Sequence, residues 1–330
     1  MQPIAPIPVE AIEAARDRIA GAAIRTPLLP LEAPDAPCEV WLKLECLQPI
    51  GSFKIRGATN AMLLADPKEL ARGVYTGSAG NMAQGVAFAA LRLGIEARVI
   101  VPDTAPRTKL DAIVRLGGTP VPVPFDEWWS VIRDHGHPQE DGFFVHPVSD
   151  PAVIAGNGTI GLEILEQLPG VSAVVVPYGG GGLSCGIASA IKAKRDDVAV
   201  YAAEVDTAAP LSASIDAGKP VDVDRIATFV DGIGGKGLLP EMWPLASSLL
   251  DGSLVVSIEQ ICDAIRTLAT RAHIVAEGAG GASVAAALSG RAGGGKVVAV
   301  VSGGNLDASD LAAILRGRTP ATRPREPLLR

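Results

Sequence analysis

Leu42 to Asn60 reads LKLECLQPIGSFKIRGATN, and at its centre Lys54 follows Gly51, Ser52 and Phe53. Val40 to Leu44 is apolar enough for a short strand, and Ile55 to Leu64 is compatible with a helix. The lysine therefore stands where a strand has ended and a helix opens. Helix N-termini carry partial positive charge, so a cation is poorly placed there. Such a setting depresses an amine's pKa and favours an amine kept neutral or in covalent linkage. A lone lysine would read as a solvated surface group, but other loops of this chain keep it company.

The 330 residues are 48% apolar and only 20% charged, which suits a compact protein of one large domain or two lobes. A net charge of −7 with no basic block argues against nucleic acid or an anionic membrane surface as partner. Cys38, Cys46, Cys185 and Cys262 are scattered, without the spacing of a zinc site or a disulfide framework, and suit a reducing cytosol. The opening MQPIAPIPVEAIEAARDRI has no apolar signal core. Val171 to Ile191 is uncharged, but Pro177 and four consecutive glycines make it a strand, loop and helix and not a membrane span.

Along the chain, residues 9–23 read as a helix and 26–31 as an irregular stretch. Strands are expected at 74–76, 97–101, 171–176, 198–203 and 297–301, with helices at 81–93, 106–116, 154–168, 183–194, 258–272 and 279–288. Val121 to Val123 is a further short strand, which Pro120, Pro122 and Pro124 would confine to a sheet edge. Apolar strands alternating with helices predict parallel sheets covered on both faces, an α/β fold with two lobes.

Gly179 to Gly182 falls between a buried strand and a helix, where backbone N–H groups face an anion such as a phosphate. Alone it leaves a nucleotide and a phosphorylated cofactor nearly even, since Glu204 lies at about the distance a dinucleotide site would want. Thr76 to Met82, TGSAGNM, is a second strand-to-helix loop, in which Asn81 could simply be a helix cap. Ser302-Gly303-Gly304-Asn305 is a third. In a doubly wound sheet, loops at the C-terminal ends of strands open towards one crevice.

Taken with GSFKIRGA, HPVSDPAVIAGNGTIGLEIL (146–165), VPYGGGGL and VVSGGNLD, the chain resembles the threonine dehydratase and serine racemase family over roughly residues 14–311. These are fold-type II pyridoxal-phosphate enzymes, with two-lobed doubly wound parallel sheets like the tryptophan synthase β subunit. The resemblance implies a small lobe at 72–147 inserted in a large one formed by 1–71 and 148–330, with pyridoxal 5'-phosphate between them. It makes Lys54 the Schiff-base lysine and proton shuttle, with Phe53 packed on the ring. Gly179, Gly180, Gly181, Gly182 and the Leu183 amide would hold the phosphate, and Asn81 and Ser302 the ring oxygen and nitrogen. Ser78, Ala79, Gly80 and Asn81 would hold the substrate carboxylate.

The implied activity is an ammonia-lyase that converts a β-hydroxy-α-amino acid, threonine- or serine-like, into a 2-oxo acid and ammonia. A homodimer or homotetramer is expected, with no nucleic acid or membrane partner. Racemisation or β-replacement on the same cofactor is the first alternative, and a non-catalytic nucleotide-binding protein the second. With residue 330 as its end, the chain is expected to lack the regulatory domain of biosynthetic threonine dehydratases. Met82, Gly278 and Tyr178 depart from the family's commonest residues, and Met82 with Trp128 and Trp129 is expected to line a site for bulkier side chains. Glu204 and Ala208 match two of three metal ligands of serine racemase-like members, but Pro210 stands at the third, so no metal is expected.

Overall fold

Apolar strands that alternate with helices pair most economically in parallel, and nearly all of them do so here. The computed structural model describes residues 2–321. Among these, ten strands form: β1 (Leu28–Pro30), β2 (Glu39–Lys43), β3 (Val74–Gly77), β4 (Ala97–Pro102), β5 (Gly118–Val123), β6 (Phe143–Phe144), β7 (Val171–Pro177), β8 (Ala199–Val205), β9 (Gly252–Val256) and β10 (Lys296–Val300). A six-stranded sheet runs β1-β2-β10-β7-β8-β9, and a four-stranded sheet runs β5-β4-β3-β6. Among these ten strands only β1 with β2 is antiparallel.

The larger sheet is apolar on both faces. Ala173, Val175, Val297 and Ala299 pack against Ile261, Ile265, Ala282 and Ala286 on one side. Val174, Val176, Val298 and Val300 meet Ile160, Ile164, Ile187 and Ile191 on the other. Successive side chains point to opposite faces of a strand, so each strand feeds two cores. No helix of the described residues is long and apolar enough to cross a membrane.

Several stretches differ from expectation: the first helix stops at Arg18, and helices Phe125–Arg133, Pro210–Ala217, Trp243–Leu249 and Ala308–Leu315 and the strand Phe143–Phe144 form where none is expected. Residues 28–30 form a strand, because Leu28 pairs with Lys43 and Pro30 with Trp41 at the sheet's outer edge, where a proline is tolerated. Gly252–Val256 is a strand that its mixed GSLVV composition does not announce, paired with β8 from Tyr201↔Gly252 to Val205↔Val256. The proline-rich β5 does lie at an edge, with Pro120 and Pro122 opposite Val99 and Val101.

The lysine helix, Lys54–Leu64, is wedged between helices Asn81–Leu93 and Pro151–Gln167. A Cβ at Gly156 would stand 2.6 Å from the Arg56 carbonyl oxygen, and one at Gly85 would stand 3.0 Å from the Lys54 carbonyl oxygen. Three helices thus cross backbone to backbone, and the start of the lysine helix is fixed relative to both sheets.

Candidate active site

β2, β10 and β7 are neighbours in the larger sheet and run in parallel, so their C-terminal ends share one edge. From that edge leave the lysine segment, the Ser302 loop and the glycine tetrad, with neighbouring strands about 5 Å apart. Backbone bonds stitch the first two together. Phe53 N–H donates to the Ser302 carbonyl at 3.0 Å, and Gly304 N–H to that of Gly51 at 2.9 Å. Gly51 has φ +70°, and a Cβ there would meet Asn305 Oδ1 at 2.7 Å, so only glycine fits both demands.

Lys54 is the first residue of its helix, and its Nζ donates to the Pro147 carbonyl at 2.7 Å. Burial lowers the amine to about 8, while the Glu277 carboxylate pulls it back upwards. The amine also lies 5.3 Å from the centre of the Phe53 ring.

The glycine tetrad precedes helix Ser184–Lys194. Among the described residues, the N–H groups of Gly179 to Leu183, in the loop that leads into this helix, find no backbone acceptor. Gly181 has φ +95°. Cβ atoms at Gly180 and Gly182 would stand 2.5 Å from Val148 Cγ1 and 2.7 Å from the Val148 carbonyl oxygen. The glycines are therefore required by the chain's own packing as well as by any anion. A phosphorylated aldehyde fits the arrangement: a helix N-terminus with free amides beside a lysine of lowered pKa.

The SAGN loop leaves β3 of the smaller sheet. Ser78 Oγ accepts from Gly80 N–H at 3.2 Å, and the methyl of half-buried Ala79 packs beside Ala83, Val99 and Ala105. Asn81 is not a helix cap, since Gly80 holds that place. Its Nδ2 donates to Glu277 Oε1 at 2.8 Å, and its Oδ1 accepts from Asn305 Nδ2, also at 2.8 Å. Asn81 therefore ties the smaller sheet to two loops of the larger.

Glu277 was not singled out from the sequence. It sits just before helix Gly278–Leu288 and against Gly303, and burial, then Asp231, raises its carboxyl to about 8. The signal was present: Glu277 is the one acidic residue between Arg271 and Arg291. Folded, it holds its proton up to about 8, whereas the ordinary carboxyl value is 4.5. From pH 4.5 to about 8 the unfolded chain gives up a proton that the folded chain keeps, so stability falls as pH rises through that window. Lys54 acts in the opposite sense and higher, between about 8 and 10.5. Glu277→Gln is expected to flatten the fall of Tm between pH 4.5 and 8, and parallel Tm profiles for the two proteins would refute this.

One expectation is revised. Met82 is buried among Ala58, Met62 and Val86, while Trp128 packs on Tyr75, Ile100 and Val131 in a separate core and Trp129 is 43% exposed. Met82 and the two tryptophans therefore do not share one wall. Tyr178 lies beneath the tetrad, buried beside Met242 and Cys185. Glu204 caps a helix: Oε1 accepts from Leu211 N–H, and Oε2 from Ser212 N–H and the Ser253 hydroxyl.

Residues 19–303 match the family described as pyridoxal-phosphate dependent enzymes. The chain is 42% identical over 253 residues to the biosynthetic L-threonine dehydratase of Burkholderia multivorans, covering 75% of this chain and 50% of that protein. It is 42% identical over 280 residues to the L-threonine ammonia-lyase of Thermotoga maritima, covering 84% of this chain and 70% of that one. Maize serine racemase superposes with a TM-score of 0.86 at 31% identity, covering 95% of this chain and 98% of that chain. The chain thus spans half the length of the first of these relatives. The family match reaches across both sheets and through Lys54, the SAGN loop, the tetrad and Ser302, and the chain belongs to the pyridoxal-phosphate dependent enzymes.

Proposed function

We propose that this chain is an ammonia-lyase acting on a β-hydroxy-α-amino acid of the threonine or serine kind. The cofactor, when bound, supplies an electron sink that makes the substrate's Cα–H acidic. Lys54 would hold it, with the free amides of Gly179, Gly180, Gly181, Gly182 and Leu183 taking the phosphate. An amine lowered to about 8 is available near neutral pH to take a proton and return it. Asn81 would face the ring oxygen and Ser302 the ring nitrogen. Ser302 offers a neutral hydroxyl there, without the negative charge that would hold that nitrogen protonated. The Ser78–Asn81 loop would hold the substrate carboxylate. The proposal includes a cytosolic setting, supported by four free thiols, and a homo-oligomer, supported by the exposed Leu63, Leu64, Leu91 and Leu93.

The observation that carries elimination over inversion is residue 79. Inverting Cα needs an acid on the face opposite the lysine, because one base returns the proton to the face it left. In racemases resembling this chain that acid is the middle serine of a Ser-Ser-Gly-Asn loop. Here the position is Ala79, whose methyl donates nothing. L-threonine and L-serine are expected to yield oxo acid and ammonia, with little D-serine formed from L-serine. Ala79→Ser is expected to raise D-serine formation, by up to the roughly 10²–10⁴-fold that a positioned acid supplies. Chiral chromatography of both proteins' products is the test. A parent that interconverts serine enantiomers as fast as it eliminates would be a racemase.

A further inference from the structure

We infer that His146, locked in one tautomer, is a positioning residue for the Lys54 amine and the glycine tetrad together. The inference rests on the reading of Lys54 as the cofactor lysine. His146 is 2% exposed. Its Nδ1 accepts from two consecutive backbone amides, Val148 N–H at 3.1 Å and Ser149 N–H at 2.8 Å. Its Nε2 lies 3.0 Å from the Ile132 carbonyl, which can only accept. The proton is therefore on Nε2 and the lone pair on Nδ1.

This ring shapes the turn that follows it. Pro147 has no N–H and leaves its carbonyl to the Lys54 amine, at 2.7 Å. The next residue, Val148, is the one on which Gly180 and Gly182 are seated. One imidazole thus sets the carbonyl that aims the amine and the side chain that supports the anion cradle. The turn's approach is strapped to β3, where Thr76 Oγ1 donates to the Val145 carbonyl at 2.8 Å.

Most of the groups around the ring fit a neutral imidazole. His135 stacks on it, ring centres 4.1 Å apart, and Phe144 meets it edge-on. The Ser149 hydroxyl, 3.2 Å from Nδ1, donates to Glu241 Oε1 at 3.0 Å, and Glu241 is also the partner of His135 Nε2. Burial first, then His135, lowers His146 to about 4, with Lys54 acting in the same direction and Glu241 against it. A proton on Nδ1 would set a third donor against two amides, opening the turn.

Two measurements test this. Nitrogen NMR of ring-labelled histidine, with the His146 signal identified by its loss in His146→Asn, is expected to show the Nε2–H tautomer and no titration between pH 5.5 and 9. An Nδ1–H tautomer, or protonation in that range, would overturn the inference. In His146→Asn the amide oxygen keeps an acceptor near the Nδ1 position, whereas His146→Leu removes it. The leucine variant is expected to lose about tenfold in kcat with KM within about threefold, and the asparagine variant to stay within about threefold of the parent in both. Equal losses in the two variants, or none in the leucine variant, would also overturn it. If the leucine variant does not fold, the asparagine variant and the tautomer decide. Turnover surviving in Lys54→Ala would instead remove the reading of Lys54 and leave the tautomer result standing.

Discussion

Lys54→Ala is expected to lower turnover by about 10²–10⁴-fold or more while the protein keeps its fold. Among the described residues, the amine's one hydrogen bond is to the Pro147 carbonyl. Alanine is the best helix former, and a cation at the first helical position opposes the helix dipole, so truncation costs the helix little. What disappears is the group whose pKa burial has brought from 10.5 to about 8. The parent, purified with its cofactor, is expected to show a visible absorption band that borohydride abolishes. The variant is expected to lack that borohydride-sensitive band and to melt within a few degrees of the parent. Parental turnover in the variant would falsify the assignment of the whole site.

The loops were legible because their chemistry is local. Small residues after an apolar run, repeated at Thr76, Gly179 and Ser302, mark strand ends, and parallel topology then brings those ends to one crevice. Partners distant in sequence were not legible. Asn81 and Glu277 are 196 positions apart, and nothing around either names the other. Asn81 read equally well as a helix cap until its neighbour Gly80 was seen to hold that place. Local strand signals also failed where few residues carry them, as at Leu28–Pro30, whose strand character comes from Trp41, Leu42 and Lys43 opposite. The same holds for Lys43 and Arg56, cations on either side of the central lysine in sequence, which are almost wholly buried against partners far along the chain.

Arg56→Met is expected to destabilise the protein by roughly 3–5 kcal/mol at neutral pH, a large share of the roughly 5–15 kcal/mol that holds most domains folded. Arg56 is 2% exposed, two residues beyond Lys54 on the same helix. Its Nε and Nη2 donate to the two oxygens of Glu45, each at 2.8 Å, and its Nη1 donates to Glu163 Oε1 at 2.7 Å. Lys43, also fully buried, donates to Glu163, to the Thr26 carbonyl and to Gln167. Two cations thus face two carboxylates, and the buried charges cancel. Methionine fills much of the volume but strands two carboxylates with one ammonium. The expected loss is the cost of breaking the set and not its net worth, because well-packed apolar replacements of a whole buried set are often neutral. Arg56→Lys keeps the charge but loses the planar fork, so it is expected to fall between parent and methionine variant. The sign of the pH effect follows from Glu45. Burial pushes its carboxyl up, but the Arg56 guanidinium first, then Lys43 and the Thr26 hydroxyl, together hold it below the ordinary value. In the methionine variant the larger part of that hold is gone, burial dominates and the carboxyl rises. Protonation then relieves the stranded charge, so the gap between variant and parent is expected to narrow as pH falls from 7 to 5. Urea unfolding of the three proteins at both pH values is the check. A methionine variant within about 1 kcal/mol of the parent at pH 7, the range of an exposed ion pair, would mean that water reaches these carboxylates.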